Sequence, residues 1–522
     1  MADYIFPLTY KPGLNRDGTD FQPEYCSDGQ WIRFNEGKVQ KIGGMVSPGP
    51  IDAELDASYV SDIRLVPSGA DNSKIFAYIS GDKLAKLELK TDFSSPIINK
   101  YFKTLGNLPA NLLWQTTIVI DDNVRKILFL ASDNAGNIAQ STKCKLYQIA
   151  TTEANVNVTE IDQNSFDNKV SGGMCYATPY LFLYGENGHV QYSDAGKPLN
   201  FNGDNSLTIS NDKVIYGAPI RGGSNSPSLL FWTLSKVVRL TNTSEDEAMQ
   251  LQVDVVSNSS SILSSRCVVE YDGLFFWVGT DRFFVYNGVV QEMVNNSSIN
   301  YFFDNIDNNH KQKVFGVINP RFGEIWWYYP EKGQDQENVI NTRALIYNKR
   351  ENSWYDTAIS RECGIFSSDL GSVVTYGKSL TGELEQKYLW KHEVGANEVA
   401  GKEEDEDTYI NNGIASSVTT PFISQAAFNA QNPMNGVDRF LELRRIEPDF
   451  VMNDPTKEIT VRINAKRYAQ SNLSISDPIT FTGQTEKIDT REQGRVISFT
   501  FASEHDFRIG NIMLLLASGD GN

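Results

Sequence analysis

Along the first three quarters of the chain, short runs of β-branched and aromatic residues alternate with Gly, Asn and Asp turns, in one repeating plan of strand, turn, strand. KIFAYISGDKLAKLEL starts at Lys74 and KILFLASDNAGNIAQSTKCKLYQI at Lys126. YLFLYGENGHVQYSD starts at Tyr180, LLFWTLSKVVRLT at Leu229 and GLFFWVGTDRFFVYNG at Gly273. GEIWWYYP at Gly323 has its partner ALIYN at Ala344, and SVVTYG at Ser372 has its partner KYLWKH at Lys387. Each unit reads as a hairpin. The seven starts fall about 45 to 55 residues apart, which is the spacing of a β-propeller. One small antiparallel sheet cannot cover both of its faces, so sheets pack face to face around an axis and close into a ring.

The aromatic pairs fit that role. Phe275, Phe276 and Trp277, and Trp326 and Trp327, are neighbours in strands and so point to opposite faces, both of which must be covered. The rival use, stacking on carbohydrate, needs such rings exposed together on one rim.

A ring must also be closed. Near the start, DGQWIRFNEGKVQKIGGM (Asp28 to Met45) contains WIRF, a turn at NEG, and VQKI. Residues 1–45 are therefore expected to form a closing or bracing hairpin, with the propeller over 46–397. The acidic run Glu403 to Asp407 marks 398–413 as an exposed loop or linker. From 414 to 522 the strands are longer and alternate cleanly. In EITVRINAKRY, Ile459, Val461, Ile463 and Ala465 share a face, so this part reads as an antiparallel β-sandwich. The expected class is all-β, a propeller of about seven blades followed by a sandwich.

Composition narrows the function. Apolar residues at 40% and aromatics at 11% suffice for real cores, and 39 glycines suit many turns. A net charge of −18 argues against a protein held to nucleic acid by a basic face. Five cysteines, Cys26, Cys144, Cys175, Cys267 and Cys363, are scattered without metal-ligand spacing, as expected of reduced thiols in a reducing cytoplasm. MADYIFPLTY has no basic region followed by a long apolar run, so no signal peptide is expected.

The sequence carries no catalytic motif. His189, His310, His392 and His505 are isolated, and no phosphate loop, dinucleotide fingerprint or nucleophile elbow occurs. Asp194, Asp281 and Asp356 sit at strand ends where paired carboxylates could act on a sugar, although Asp in turns more often accepts backbone hydrogen bonds. No catalytic residue, cofactor or metal site is expected. The alternative kept open is a glycan-binding or glycan-cleaving propeller, a depolymerase or lectin.

DGQWIRFNEGKVQKIGGM, VSGGMCYATPYLFLYGENGHVQYSDAGKPLNF from Val170, and KIDTREQGRVISFTFASEHDFRIGNIMLLLASGDG with its Gly-Asp-Gly ending at Gly519 to Gly521 resemble the tail hub (nozzle) proteins of short-tailed bacteriophages, often labelled phage stabilisation protein. The resemblance spans nearly the whole chain and is weakest in the middle blades. Met45 departs from the bulky aromatic expected after IGG, and the acidic run at Glu403 to Asp407 departs as well. The resemblance implies a structural virion protein made in the bacterial cytoplasm. Such a protein forms a self-associated ring, hexameric in the family, below the portal and its adaptor (the head-to-tail connector). It lines the DNA exit channel and carries fibres, spikes or a needle, with viral DNA passing unbound. For the opening segment two readings stand side by side. Trp31, Arg33, Phe34, Lys41, Gly43 and Gly44 either face a neighbouring copy, Trp and Arg being favoured anchors and the glycines permitting close backbone approach, or they are packed as core.

Overall fold

The computed structural model describes residues 3–19, 24–49, 59–67, 74–80, 83–89, 93, 99–105, 113–132, 144–150, 158–161, 166, 169–221, 228–243, 250–294, 297–335, 339–382, 386–401, 409–424, 440–468 and 470–519. The acidic run Glu403 to Asp407 and the last two residues of the Gly-Asp-Gly ending lie outside them.

Seven sheets follow one another, the first six antiparallel: blade 1 (Val60–Thr104), blade 2 (Leu113–Glu160), blade 3 (Val170–Thr208), blade 4 (Val214–Ser257), blade 5 (Val269–Glu292), blade 6 (Phe315–Arg361) and blade 7, which begins at Cys363–Ser367. Blades 1 to 6 have four strands each, paired in sequence order. First strands of blades 1 to 4 contact one another in turn, as do those of blades 5, 6, 7 and 1. Between blades 4 and 5 the join is aromatic, with Trp232 set 5.5 Å from Phe275 and 5.7 Å from Trp277. The chain is a seven-bladed β-propeller followed by an antiparallel sandwich.

The aromatic hairpins of the sequence are the second and third strands of the blades, for example Leu274–Val278 with Phe283–Tyr286. These strands have neighbours on both faces, so adjacent rings are both buried. Trp326 joins the core shared with the sandwich while Trp327 joins the core between blades 5 and 6. Each buried ring stabilises the fold by roughly 1.5–3 kcal/mol.

Closure differs from the sequence reading. The hairpin Ile32–Asn35 with Lys38–Lys41 does not enter blade 7; it pairs with Arg508–Ile509 of the C-terminal module. Blade 7 is completed by Met45–Ser47, antiparallel to Lys387–His392 and parallel to Asn397–Gly401. The expected boundary between residues 45 and 46 therefore falls inside the closing strand. Of the stretch expected as a linker, Asn397–Gly401 and Tyr409–Gly413 pair with each other and widen blade 7 to six strands.

The C-terminal module stacks two sheets and recruits strands from the other end of the chain. Asp3–Pro7 pairs with Met513–Ser518, and Asp28–Gln30 with Ser416–Thr419. The face Ile459, Val461, Ile463 and Ala465 is buried. One hydrophobic core runs without a break from this face through Trp31, Phe34 and Met45 to Trp326, Tyr355 and Trp390 of blades 6 and 7. All five cysteines are buried and unpaired. No helix among the described residues is long and apolar enough to cross a membrane.

Candidate functional site

The six residues singled out in the opening segment come together where propeller and sandwich meet, inside one chain. Trp31, Phe34 and Arg33 have at most 1% of their surface exposed. Two short strands deliver them. Ile32 and Phe34 point into the shared core, and the alternation of the strand turns Arg33 the other way, onto blades 6 and 7.

Arg33 is gripped by two carboxylates. Its Nε and Nη2 donate to the two oxygens of Glu324 at 2.8 and 3.1 Å, and its Nη1 donates to Glu393 Oε2 at 3.0 Å, with a further Nη2 bond to Glu393 Oε1. The Phe322 ring lies 3.5 Å from the guanidinium. Glu324 also accepts from Trp326 Nε1 at 2.9 Å, Tyr355 OH at 2.6 Å and Asn319 Nδ2 at 3.2 Å. Burial alone would make the guanidinium easier to deprotonate; the two carboxylates outweigh it and hold Arg33 above its ordinary range. Every polar atom of this fork thus has a charged or neutral partner, the condition for a buried charge to be tolerated.

Around the fork, Trp31 takes a left-handed backbone conformation (φ 54°) and donates its backbone N–H to Thr357 Oγ1 at 3.0 Å. Its ring stands edge-on to Trp326 at 6.3 Å and 6.5 Å from His392. His392 is buried, with Nε2 2.7 Å from Thr375 Oγ1. Desolvation, then the nearby Arg361 and Arg33 charges, push it well below the usual histidine range. Lys41 reaches the Glu504 carbonyl of the sandwich, and burial lowers its ammonium to about 8 despite Asp506 and Glu504. Gly43 and Gly44 pass so close to blade 7 that a side chain on Gly44 has no room and one on Gly43 would displace the Glu393 carboxylate. A Cβ on Gly43 would sit 2.6 Å from Glu393 Oε2, and one on Gly44 would overlap the Asn397 backbone. Of the two readings of these six residues, packing within the chain describes where they lie.

Met45, the departure after IGG, is buried with its Sδ 3.1 Å from Arg361 Nη2. Among the described residues Arg361 forms no ion pair, and desolvation lowers it to about 10 against the pull of Tyr328 and Glu398.

A second fork lies on the outer strand of blade 6. Asp356, fully buried, accepts from Arg16 Nε at 2.9 Å and Arg343 Nη1 at 3.0 Å. Arg16 and Arg343 both flank the Tyr301 ring at 5.4 Å. Desolvation raises the Asp356 carboxyl against the pull of both arginines. The other two carboxylates considered for sugar chemistry sit on other blades with partners of their own. Asp194 accepts from Asn200 and Asn205 at 2.7 and 3.0 Å, and Asp281 is bound by its neighbour Arg282. The structure does not bring these three together. All eight tryptophans of the chain are buried, none more than 4% exposed.

At the propeller axis, Arg266, entering blade 5, reaches the Ser61 carbonyl of blade 1, and its Nη2 donates to Tyr59 OH at 3.0 Å. Tyr59 OH donates to the Glu362 carbonyl at 2.9 Å, and Lys387 pairs with Glu362 at 2.7 Å. These contacts tie the start of blade 5 to blades 1 and 7. Among the described residues no three His, Cys, Asp or Glu side chains are grouped to hold a metal ion.

Sequence reasoning missed Glu324 and Glu393, and it singled out Asp356 only for sugar chemistry, without its arginine partners Arg16 and Arg343. The available signal was a charge in an apolar run: Glu324 immediately precedes IWWYY, and a carboxylate in such a strand needs a cation.

No protein-family model matches this chain, and no curated protein sequence matches it. Among solved structures the chain is similar to the crystal structure of an ancestral GH74 enzyme, at 12% identity and a TM-score of 0.38, over 75% of this chain and 51% of that one. The chain thus spans about half the length of that enzyme.

Proposed function

We propose that this chain is a structural virion protein of a short-tailed phage, a tail hub that assembles as a ring below the portal and its adaptor and supports fibres, spikes or a plug. The observation that carries the reading is the use made of DGQWIRFNEGKVQKIGGM, one of the three stretches that carry the family resemblance. Its charged and aromatic residues are spent on bracing, Arg33 between Glu324 and Glu393 and Trp31 against Trp326. A brace of that kind suits a part that must bear load.

A further feature agrees. Six copies at −18 each carry about −108 in total, and acidic walls repel phosphate. The glycan reading needs exposed stacking platforms, and the eight buried tryptophans supply none.

The test is quantitative mass spectrometry of purified virus particles from the source, counting this chain against the portal protein. About one hub ring per portal ring supports the assignment. Clean absence from particles overturns it and sends the question to glycan arrays.

A further inference from the structure

The strand that closes the propeller is short, and what holds it in place lies elsewhere. Met45–Ser47 pairs with Lys387–His392 at only two positions, Lys391 with Val46 and His392 with Met45, and with Asn397–Gly401 at three. Ile42, Gly43 and Gly44 alone separate it from the hairpin strand Lys38–Lys41, and they have no slack. The Ile42 N–H donates to the Trp31 carbonyl at 3.1 Å. The Gly44 N–H donates to the Gly395 carbonyl at 2.8 Å, and the Gly44 carbonyl accepts from Val394 at 3.0 Å. The outer edge of that hairpin belongs to the sandwich, with Gln40 opposite Arg508 and the Lys41 N–H donating to the Phe507 carbonyl at 3.0 Å. Arg33 ties the same hairpin to Glu324 of blade 6 and to Glu393, which lies in the turn between the two strands that hold the closing strand.

We propose that residues 32–47 are a latch: the grip of the sandwich on the hairpin holds the propeller shut, so that release of the sandwich and opening of blade 7 are one event. A ligand or neighbouring chain that displaced Arg508–Ile509 would pull Arg33 from its carboxylates and the closing strand from blade 7. Coupling of this kind is reciprocal, so loosening the closing strand must loosen the sandwich edge by the same factor. The inference stands apart from the virion assignment, since it concerns one chain.

Hydrogen–deuterium exchange of the full-length chain, read by mass spectrometry, tests it with three substitutions. Phe507→Ala weakens the sandwich side, Val46→Ala the closing strand, and Val119→Ala the core of blade 2 as a remote control. The latch predicts that Phe507→Ala speeds exchange in residues 45–47 and 387–392 by at least about tenfold, that Val46→Ala speeds it in 32–41 and 508–518 by a comparable factor, and that blades 2 to 4 are unchanged in both. Val119→Ala should leave residues 32–47 as they are. Loosening confined to each substituted side overturns the latch. So does a uniform rise across all blades, which would make the chain a single unfolding unit. Should Val46→Ala not accumulate, Met45→Leu, which keeps the volume and removes the sulfur contact to Arg361, carries the reciprocal arm.

Discussion

The fourth strands of blades 6 and 4 occupy the same place in the repeat and meet opposite surroundings. Ser353–Arg361 of blade 6 is buried along nearly its whole length. The opening segment lies over it: Gln30 both donates to and accepts from the Ala358 backbone, at 3.0 and 2.9 Å, and Arg16 reaches Asp356. Leu251–Ser257 of blade 4 is a free edge among the described residues, with Val255 half exposed and Asp254 paired to Arg239 across the strand at 3.1 Å. Place in a propeller repeat therefore does not set burial. What sets it is whether another segment of the chain crosses the edge, and the residues follow. SWYDTAISR carries Trp354 and Tyr355 and a carboxylate that only a cation from elsewhere can satisfy, whereas LQVDVVS carries its charge beside a cross-strand partner.

The largest effect is expected where the crossing segment delivers its charge. Arg33→Met leaves Glu324 and Glu393 facing each other without a cation, and removing one partner from a buried ion pair costs about 3–5 kcal/mol. The midpoint of urea unfolding should fall accordingly. Arg33→Lys should recover less than half of the loss, because one ammonium cannot reproduce a fork that bonds two carboxylates at once. Full recovery by lysine would mean that charge, not geometry, holds this junction.

Asp356→Ala should cost less, about 2 kcal/mol. Each arginine it serves keeps a second partner: Arg16 keeps Asp28 and the Gly29 carbonyl, and Arg343 keeps Glu331 at 2.9 Å. Equal losses for Arg33→Met and Asp356→Ala in the same urea series would break the ranking of the two forks.

Much of blades 1 to 7 was legible because a strand covered on both faces must be apolar in an unbroken run, and such runs stand out: YLFLY, LLFW, LFFWV, IWWYY. Outer strands such as Val158–Glu160 and Val290–Glu292 are three residues long and polar, and periodicity over three residues carries no signal. The closing role was assigned to the correct end of the chain but to the wrong strand, since Met45–Ser47 looks like the tail of a turn. The forks were not legible as pairs. Arg33 is 291 residues from Glu324 and 360 from Glu393, and nothing local in WIRF names either partner. Gly43 and Gly44 were readable as a close approach, though not what they approach.

Acid should act on the covered side before the open one. His392 is buried beside Trp31, Trp326 and Thr375, with Arg361 and Arg33 as the charges that face it. Its folded pKa lies well below the unfolded value of about 6.5, so below that pH the unfolded chain takes up a proton that the folded chain refuses. Stability should hold above pH 6.5 and decline as pH falls below it, by at most about 1.4 kcal/mol per unit from this group. His392→Gln should flatten that part of the profile measured by urea unfolding at pH 5 to 7; an unchanged slope would place the acid sensitivity elsewhere.

The smallest effect belongs to the free edge. Val255→Thr keeps the branched shape that suits a strand and adds a hydroxyl to a side chain already half in water. Its unfolding midpoint should match the parent within about 0.5 kcal/mol. The same exchange at Val374, fully buried in the second strand of blade 7, places a hydroxyl in an apolar core and should cost about 1–3 kcal/mol. If the two substitutions were equally mild, blade 7 would be looser than its packing requires. If both were costly, the edge of blade 4 would be covered in solution, and a chain that leaves one blade bare and straps another would have to be read as half of a larger assembly.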